Sequence, residues 1–296
     1  MPHICICLCT FKRPQLLAVT LARLRGLETG GKFSYSVVVA DNDVAESGRA
    51  TVADFAATSG IETVYGVEPE QNISLARNKA LTLARGDYIA WIDDDEFPER
   101  DWLLTFFNAL EASGADGVLG PVRPVFETRP PEWIVRGRFF EKGKHAPGAR
   151  LEWYETSTAN VLVKREILAG LAEPFRRQFG SGCEDQDFFR RMTQAGRTFV
   201  WCSEAAVSEI VPPGRWTRKY LWRRAWLRGQ NHRHFADARS IVKSLIAVPL
   251  YLILLPFLLL AGQHVFVKFL MKLGDHAGKL TGVAGLKFMG DKYVSG

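Results

Sequence analysis

Four consecutive acidic residues, Asp93, Asp94, Asp95 and Glu96, follow the apolar residues 88–92, which the pattern predicts as a buried strand. Carboxylates at the edge of a core need partners, because an unpaired buried charge is very costly. Carboxylate oxygens suit hard divalent cations such as Mg²⁺ and Mn²⁺, which in proteins usually also hold substrate phosphates. The run therefore predicts a cation site for a phosphate-bearing substrate. A solvated acidic loop is the alternative for an isolated run.

Short apolar runs alternate with helical patterns over the first 120 residues. Strands are predicted at residues 4–9, 35–40, 62–65 and 88–92, and helices at residues 14–24, 50–58, 74–85 and 101–112. This alternation is typical of an α/β fold with a mostly parallel sheet covered on both faces. Ligands of such sheets bind at the carboxyl ends of the strands, where Thr10, Asp41 and Asp93 are expected.

The middle of the chain is less regular. Residues 121–147 are rich in Pro and Gly and predict loops, whereas residues 159–163, 199–202 and 206–211 predict strands and a helix is expected near Glu166. Glu184 and Asp185 open another predicted helix that ends near Gly196. Acidic side chains suit the positive end of a helix dipole, so capping is the alternative to a chemical role for this pair.

Cys5, Cys7 and Cys9 alternate along the first predicted strand and would share one face. No distal Cys/His group matches them at zinc spacing, so we expect reduced cysteines buried in a cytosolic protein. Basic residues follow the first apolar run instead of preceding it, which is unlike a signal peptide. The catalytic part is therefore expected in the cytoplasm.

The last third changes character. Residues 215–243 contain nine Lys or Arg and one acidic residue, with aromatic residues interleaved, and residues 245–261 are almost wholly apolar. A membrane span needs roughly 20 apolar residues, so the stretch is long enough for a transmembrane helix. Pro249, Pro256 and the basic residues on both flanks favour a re-entrant or in-plane hairpin over a full crossing at residues 244–273, and a buried helix pair is a further alternative. The basic and aromatic residues favour lipid headgroups over nucleic acid as the partner.

An ordered set of motifs resembles family 2 glycosyltransferases. Residues 6–14 look like the opening strand and turn of that family, residues 38–42 like its second strand, residues 73–95 like the segment that leads to the D-x-D motif, and residues 183–196 like the E-D motif and its helix. The resemblance covers about residues 3–235. A D-x-D motif alone is a weak signal, but the ordered set is specific. Within the family the sequence resembles bacterial exopolysaccharide enzymes of the succinoglycan glucosyltransferase type.

The resemblance implies a GT-A fold and an inverting enzyme that moves one sugar from a nucleotide-diphosphate sugar, expected to be a UDP-hexose. It implies that Asp185 is the general base and that Glu184 caps the helix or orients the acceptor. Asp95, with help from Asp93, would hold Mn²⁺ or Mg²⁺, while Asp94 would face away.

Nucleotide contacts are also implied by the resemblance. Thr10, Asp41 and Arg77 would line the nucleotide pocket, although Arg77 has the alternative of a surface pair with Glu70. Many relatives carry a histidine where this chain has Ser208 and Glu209, so Glu209 is a candidate for that place near the metal. Further candidates for contact with the diphosphate are Arg224, Arg228 and His232. The Q-x-x-R-W string of processive relatives is absent, which argues against processive synthesis.

The resemblance divides the chain into residues 1–120 for the nucleotide sugar, 121–212 for acceptor and base, and 213–296 for the membrane. The implied acceptor is a lipid-linked oligosaccharide of bacterial exopolysaccharide or surface glycan synthesis, at the cytoplasmic face of the inner membrane. Membrane lipid is an implied partner, nucleic acid is not, and homo-oligomerisation is left open. One alternative is a sugar-nucleotide pyrophosphorylase, which the absence of a Gly-rich N-terminal phosphate loop disfavours. A silent membrane-anchored scaffold is disfavoured by the presence of Asp93, Asp95 and Asp185 together.

Overall fold

The computed structural model describes residues 1–141 and 145–286. The chain divides into two compact units. The first unit consists of Met1–Pro124, Lys142–Gly180 and Glu184–Ile210, and the second of Val125–Glu141, Ser181–Cys183 and Val211–Gly296. The three-part functional division drawn from the sequence stays a prediction.

The regular elements of the described residues are as follows. The strands are β1 His3–Thr10, β2 Ser34–Asp41, β3 Thr63–Val67, β4 Tyr88–Trp91, β5 Glu96–Pro98, β6 Gly117–Leu119, β7 Val122–Val125, β8 Val161–Lys164, β9 Phe199–Trp201 and β10 Val207–Ile210. The helices are α1 Pro14–Leu24, α2 Arg49–Ser59, α3 Ile73–Leu83, α4 Trp102–Ser113, α5 Glu132–Gly137, α6 Glu184–Gln194, α7 Arg218–Asn231, α8 Ala238–Leu258 and α9 Gln263–Val283. Short 3₁₀ turns occur at Trp153–Glu155, Arg165–Leu168, Arg177–Phe179, Pro213–Arg215 and His232–Phe235.

The main sheet has seven strands in the order β3-β2-β1-β4-β8-β6-β9. Neighbouring strands are parallel except at β8, which is antiparallel to both β4 and β6. The predicted α/β class with a mostly parallel sheet is therefore confirmed. A second, three-stranded sheet has the order β5-β10-β7.

Strand β1 shows why the sheet is covered on both faces. Its alternate residues Ile4, Ile6 and Leu8 pack into one hydrophobic cluster with residues of α1, α2 and α4. Cys5 and Cys7 point the other way, into a second cluster that includes residues of α3 and α6. This is the alternation that a strand imposes on its side chains. The cysteines are free thiols and serve as small apolar core residues, as expected.

Several short elements were not predicted. The acidic run is a turn that joins two sheets, because it leaves β4 and its last member, Glu96, begins β5. Helix α5 and strand β7 lie in the segment predicted as loops, and the predicted helix near Glu166 is only the 3₁₀ turn Arg165–Leu168. Strands of three or four residues offer too few positions for periodicity to emerge, and Pro124 further disguises β7.

The second unit is built mainly from α5, α7, α8 and α9. Ile134, Leu221 and Val267 form its small buried cluster, one residue from each of α5, α7 and α9. Pro249 and Pro256 lie inside α8 and do not end it. Among the described residues, α8 is the one helix long and apolar enough to cross a membrane by length and composition.

Candidate active site

The predicted strand ends meet at one edge of the main sheet. Thr10, the last residue of β1, is in register with Asp41, the last residue of β2. Strand β4 runs parallel to β1 on its other side and ends at Trp91, two residues before the acidic turn. Parallel strands end at the same edge, so the sheet gathers Thr10, Asp41 and the acidic turn.

Hydrogen bonds and ion pairs connect the acidic turn to the end of β1 and to α1. The Thr10 hydroxyl donates to Asp94 Oδ2 at 2.7 Å, and Arg13 Nη1 lies 3.3 Å from Asp94 Oδ1 and 3.1 Å from Asp95 Oδ2. Thr20 donates to the backbone carbonyl of Asp94 at 2.8 Å. Burial, followed by the negative charge of Asp95, raises the pKa of Asp94 to about 7, while Arg13 and Thr10 oppose the rise. Thr10 and Arg13 therefore offset only part of the cost of burying a charge on Asp94.

Asp93 is the open member of the run. Its side chain is 40% exposed, compared with 6% for Asp94 and 10% for Asp95. Its backbone N–H donates to Glu96 Oε2 at 3.1 Å, which tightens the turn. In the antiparallel β5–β10 ladder Glu96 is opposite Glu209, so Glu209 lies beside the end of the acidic run.

Arg77, on α3, reaches two of the predicted motifs. Its Nε donates to Glu184 Oε1 at 3.1 Å and its Nη2 lies 3.7 Å from Asp93 Oδ1. The guanidinium also lies 5.4 Å from the ring centroid of Trp91. Burial disfavours its charge, but Glu184 and Asp93 more than compensate and raise the pKa of Arg77. The alternative of a surface arginine paired with Glu70 is wrong.

Glu70 pairs with a different arginine, Arg177. Glu70 lies before the start of α3, outside the helix that carries Arg77. Arg77 instead faces the sheet, where two carboxylates offset the cost of its burial.

Helix α6 begins at Glu184 and carries three acidic residues in its first turn. Glu184 is 5% exposed, and burial, followed by the charge of Asp185, raises its pKa to about 7 although Arg77 opposes the rise. Asp185 is more accessible and accepts the backbone N–H of Gln186 at 2.7 Å. Asp187 is buried and pairs with arginines 176 and 191. The helix dipole favours negative charge at this end.

Asp41 is fully buried and holds the loop that follows β2. Its carboxylate accepts the N–H of Asp43 at 3.0 Å, the N–H of Gly48 at 2.7 Å and the hydroxyl of Tyr65 at 2.9 Å. Burial and the bond to Asp41 raise the pKa of Tyr65. Asp41 thus holds the loop that follows β2 in position at this end of the sheet.

The second-unit candidates are on or just after α7. Arg224 is exposed, and Arg228 makes a two-pronged pair with Asp275, at 2.8 Å through Nε and 2.7 Å through Nη2. Burial lowers the pKa of His232, which favours its neutral form. A diphosphate would have to compete with Asp275 for Arg228. The roles of all these candidates stay predictions.

Comparison with known proteins decides the family. The sequence profile described as Glycosyl transferase family 2 matches residues 5–169, more than half of the chain. The chain belongs to glycosyl transferase family 2. A relative of this family 2 chain, the Succinoglycan biosynthesis protein ExoM of Rhizobium meliloti (strain 1021), is 33% identical over 299 residues, which is 96% of this chain and 94% of that protein.

Solved structures support the GT-A fold of this family 2 chain. A mannosyltransferase from Pyrobaculum calidifontis, PcManGT, in complex with GDP-Man and Mn²⁺, aligns with a TM-score of 0.59 at 18% identity, over 96% of this chain and 73% of that one. S. aureus TarS 1-349 in complex with UDP-GlcNAc aligns with a TM-score of 0.55 at 16% identity, over 97% of this chain and 93% of that one. The chain spans 55% of the longer TarS structure.

Two residues of the site were not singled out from the sequence. Arg13, which contacts Asp94 and Asp95, lies within the quoted opening motif and three residues after Thr10, and an acidic run that needs a cation was a signal for it. Asn42 accepts the N–H of Asn72 at 2.9 Å and so ties the loop after β2 to the start of α3. No sequence pattern identifies that contact, because the two residues are 30 positions apart.

The donor set of the acidic turn fits a divalent cation shared with a substrate. In residues 1–141 and 145–286 no three His, Cys, Asp or Glu side chains gather into a group that could hold a metal alone. Mg²⁺ is often bound by only one or two carboxylates together with substrate phosphates. Asp93 is open and Asp95 belongs to the same turn, so the turn offers carboxylate oxygens for such a shared site.

Proposed function

We propose that this family 2 glycosyltransferase transfers one hexose from a UDP-sugar to a lipid-linked oligosaccharide, with inversion, in bacterial exopolysaccharide or surface glycan synthesis. The observation that carries the proposal is the Arg77 link between Glu184 of the E-D motif and Asp93 of the D-x-D motif. It supports a single reaction centre in which donor and acceptor groups are held together. The succinoglycan biosynthesis name of the ExoM relative supports the polymer class.

The proposed reaction is a single displacement. Asp185 takes the proton of the acceptor hydroxyl as its oxygen forms a bond to the anomeric carbon. The bond from that carbon to the diphosphate oxygen breaks, and the nucleoside diphosphate leaves with the electron pair. Attack from the face opposite the leaving group inverts the anomeric centre. Asp185 suits the role of base better than Glu184, because Arg77 already occupies the buried Glu184 carboxylate, whereas Asp185 is more accessible to an acceptor.

Asp95 and Asp93 would hold the Mn²⁺ or Mg²⁺, which supplies positive charge beside the leaving diphosphate. Arg77 holds Asp93 from the side of the core and Arg13 holds Asp95 from the start of α1. Glu209 stays a predicted further ligand. The Mn²⁺ of the PcManGT complex supports a metal-dependent reaction.

The nucleotide is proposed to bind at the ends of β1 and β2. The UDP-GlcNAc complex of TarS supports a uridine diphosphate donor. The Thr10 hydroxyl already donates to Asp94, and the buried Asp41 carboxylate already accepts three hydrogen bonds. Direct contact between the base or ribose and Asp41 would therefore require the loop at residues 42–48 to move. Without that movement Asp41 acts by holding the loop in place.

The acceptor is proposed to be lipid-linked and to be reached at the cytoplasmic face of the inner membrane. The exposed apolar residues of α8 support a location at lipid. The basic residues 215–243, which precede and enter that helix, support contact with anionic headgroups.

The test is donor binding and transfer by the purified full chain. We expect one UDP-hexose to raise the melting temperature in the presence of Mn²⁺ or Mg²⁺, and radiolabelled sugar from it to enter a bacterial lipid extract. The Asp95→Asn variant should lose the cation-dependent part of the shift, whereas Asp54→Asn on the exposed face of α2 should keep it. Absence of binding and turnover with every nucleotide sugar would refute the proposal. Synthesis of a UDP-sugar from UTP and a sugar phosphate would favour the pyrophosphorylase alternative.

A further inference from the structure

Helix α8 exposes an apolar surface that covers about half of its circumference. The exposed side chains are Val242, Leu245, Ile246, Leu250, Leu252, Ile253 and Phe257, and Leu260 follows at the turn with 88% of its surface exposed. At 3.6 residues per turn these positions share one side of the helix. The buried residues Ser244, Ala247 and Leu255 lie on the opposite side. A contiguous apolar face of this kind marks an interaction surface.

Helix α9 returns along the inner side of α8. Ser244 hydrogen-bonds to His276 at 2.9 Å near one end of the pair, and the ring of Tyr251 lies 5.6 Å from that of Phe269 near the middle of α8. The two helices are therefore antiparallel and joined at two levels. Helix α9 carries charged residues beyond its first turn, at Lys268, Lys272, Asp275 and Lys279, and of these Lys268 and Lys272 are exposed.

This pairing argues against a crossing by α8. Lys268 and Lys272 flank Phe269, so they lie level with Tyr251 near the midpoint of α8. Were α8 to cross, the packing would carry both lysines to the depth of the hydrocarbon, where a charged side chain is expensive. Helix α9 is also held by α7 through the Arg228–Asp275 pair, which fixes it to a helix rich in arginine.

Cations border the apolar face. Arg239 and Lys243 are exposed in the first turns of α8, and Lys268 and Lys272 are exposed on α9. Such cations are attracted to anionic phospholipid headgroups, and an apolar face bordered by cations is typical of helices that lie at a lipid surface. Lipid is therefore the occupant that complements both the apolar and the charged residues.

We propose that the α8–α9 hairpin lies in the plane of one anionic leaflet, with the exposed face of α8 among the acyl chains and the hairpin never crossing the bilayer. The inference rests on the membrane location proposed above and specifies how the chain is held there. It does not depend on the sugar that is transferred.

Vesicle flotation of the purified full chain tests the occupant. We expect binding to phosphatidylcholine vesicles that contain phosphatidylglycerol and weaker binding without it. Lys243→Gln and Lys268→Gln should each weaken binding to the anionic vesicles by roughly fivefold. Ile253→Ser with Phe257→Ser should abolish it, and the matched change Val19→Ser, at an exposed apolar residue of α1, should leave it intact. The inference would be overturned if the wild-type chain did not bind either kind of vesicle. It would also be overturned if the wild-type chain were a dimer in solution and the Ile253→Ser/Phe257→Ser variant were a monomer.

Labelling of Leu260→Cys in spheroplasts tests the depth. An impermeant maleimide should not reach this cysteine from outside until the membrane is opened with detergent, and the unsubstituted chain reports the background of the native thiols. Labelling of intact spheroplasts would show a crossing and overturn the in-plane arrangement while leaving the membrane location intact. If the chain did not float with vesicles, the proposed membrane location would be refuted as well. Transfer to a detergent-dispersed acceptor, assayed separately, tells whether the glycosyltransferase proposal survives either result.

Discussion

Arg77 and Glu184 form a buried ion pair, with Nε donating to Oε1 at 3.1 Å across 107 residues of sequence. The same guanidinium lies 3.7 Å from Asp93. One side chain on α3 therefore connects the acidic turn after β4 to the first turn of α6. Asp185, the proposed base, follows Glu184 directly, so Arg77 is placed to fix the base relative to the groups proposed to hold the diphosphate. We therefore propose that Arg77 is a positioning residue.

Replacing Arg77 by Met should destabilise the fold and abolish transfer. Removing one partner of a buried pair leaves the other charge uncompensated, at a cost of about 3–5 kcal/mol. Chemical denaturation measures the loss.

The double variant Arg77→Met/Glu184→Gln separates structure from chemistry. With both charges gone, most of the lost stability should return, so the two changes should be strongly non-additive. Sugar transfer should stay absent, because nothing then orients the base and Asp93. If the double variant were as active as the wild type, the ion pair would contribute to stability alone and would have no role in transfer. A matched control is Arg177→Met, which breaks the exposed pair with Glu70 and should cost less than about 1 kcal/mol.

Asp185 and Asp187 are two positions apart on α6 and are expected to behave in opposite ways. Asp185→Asn should preserve folding and UDP-sugar binding and reduce transfer by at least about 100-fold, as expected for a lost general base. Asp187→Asn should instead lower the melting temperature, because two arginines lose their charged partner. Thermal shift with the donor and a transfer assay measure both. Full activity of Asp185→Asn would remove Asp185 from the role of base.

The raised pKa of Asp94 predicts a pH dependence of stability. Its value of about 7 in the folded chain exceeds the ordinary 3.8, so the folded state binds the proton more tightly than the unfolded state. The contribution of Asp94 is therefore greatest below the unfolded value and is lost as the pH rises towards the folded value. Between about pH 5 and about pH 7 this should lower the free energy of unfolding by about 2 kcal/mol.

Asp94→Asn isolates that effect. The amide keeps an acceptor for the Thr10 hydroxyl but cannot ionise, so the decline in stability with pH should be shallower than in the wild type. Part of the decline should persist, because Glu184 also has a pKa raised to about 7. Urea denaturation at a series of pH values measures it. Parallel pH profiles for variant and wild type would mean that Asp94 titrates outside this range.

Much of the fold follows from local patterns in the sequence. Helix α1 was predicted with the observed limits, because Pro14 begins it and Leu17, Leu21 and Leu24 repeat at helical spacing. The gathering of Thr10, Asp41 and the acidic turn follows from parallel strand order alone. The partner of Arg77 could not be predicted in this way, because the Arg77–Glu184 contact depends on how α6 returns to the sheet after a long irregular segment.

The α7–α9 contact shows the same limit. Gly274, Gly278 and Gly282 recur every four residues along α9 and allow close approach to α7. A Cβ at Gly278 would lie 2.2 Å from the backbone oxygen of Trp226. The glycine repeat can be recognised in the sequence, but the sequence does not show that α7 is the helix that packs against it.

Gly278→Ala should therefore destabilise the second unit. Backbone atoms cannot yield as a flexible side chain would, so α9 must move away from α7, at a cost of about 1–3 kcal/mol by analogy with overpacked cores. Limited proteolysis should cut α9 faster, and the melting temperature should fall. Gly214→Ala is the matched control, because no atom lies within 4 Å of a Cβ there and its stability should change by less than about 0.5 kcal/mol. Equal stability of the two variants would show that the α7–α9 backbones are not in close contact at Gly278.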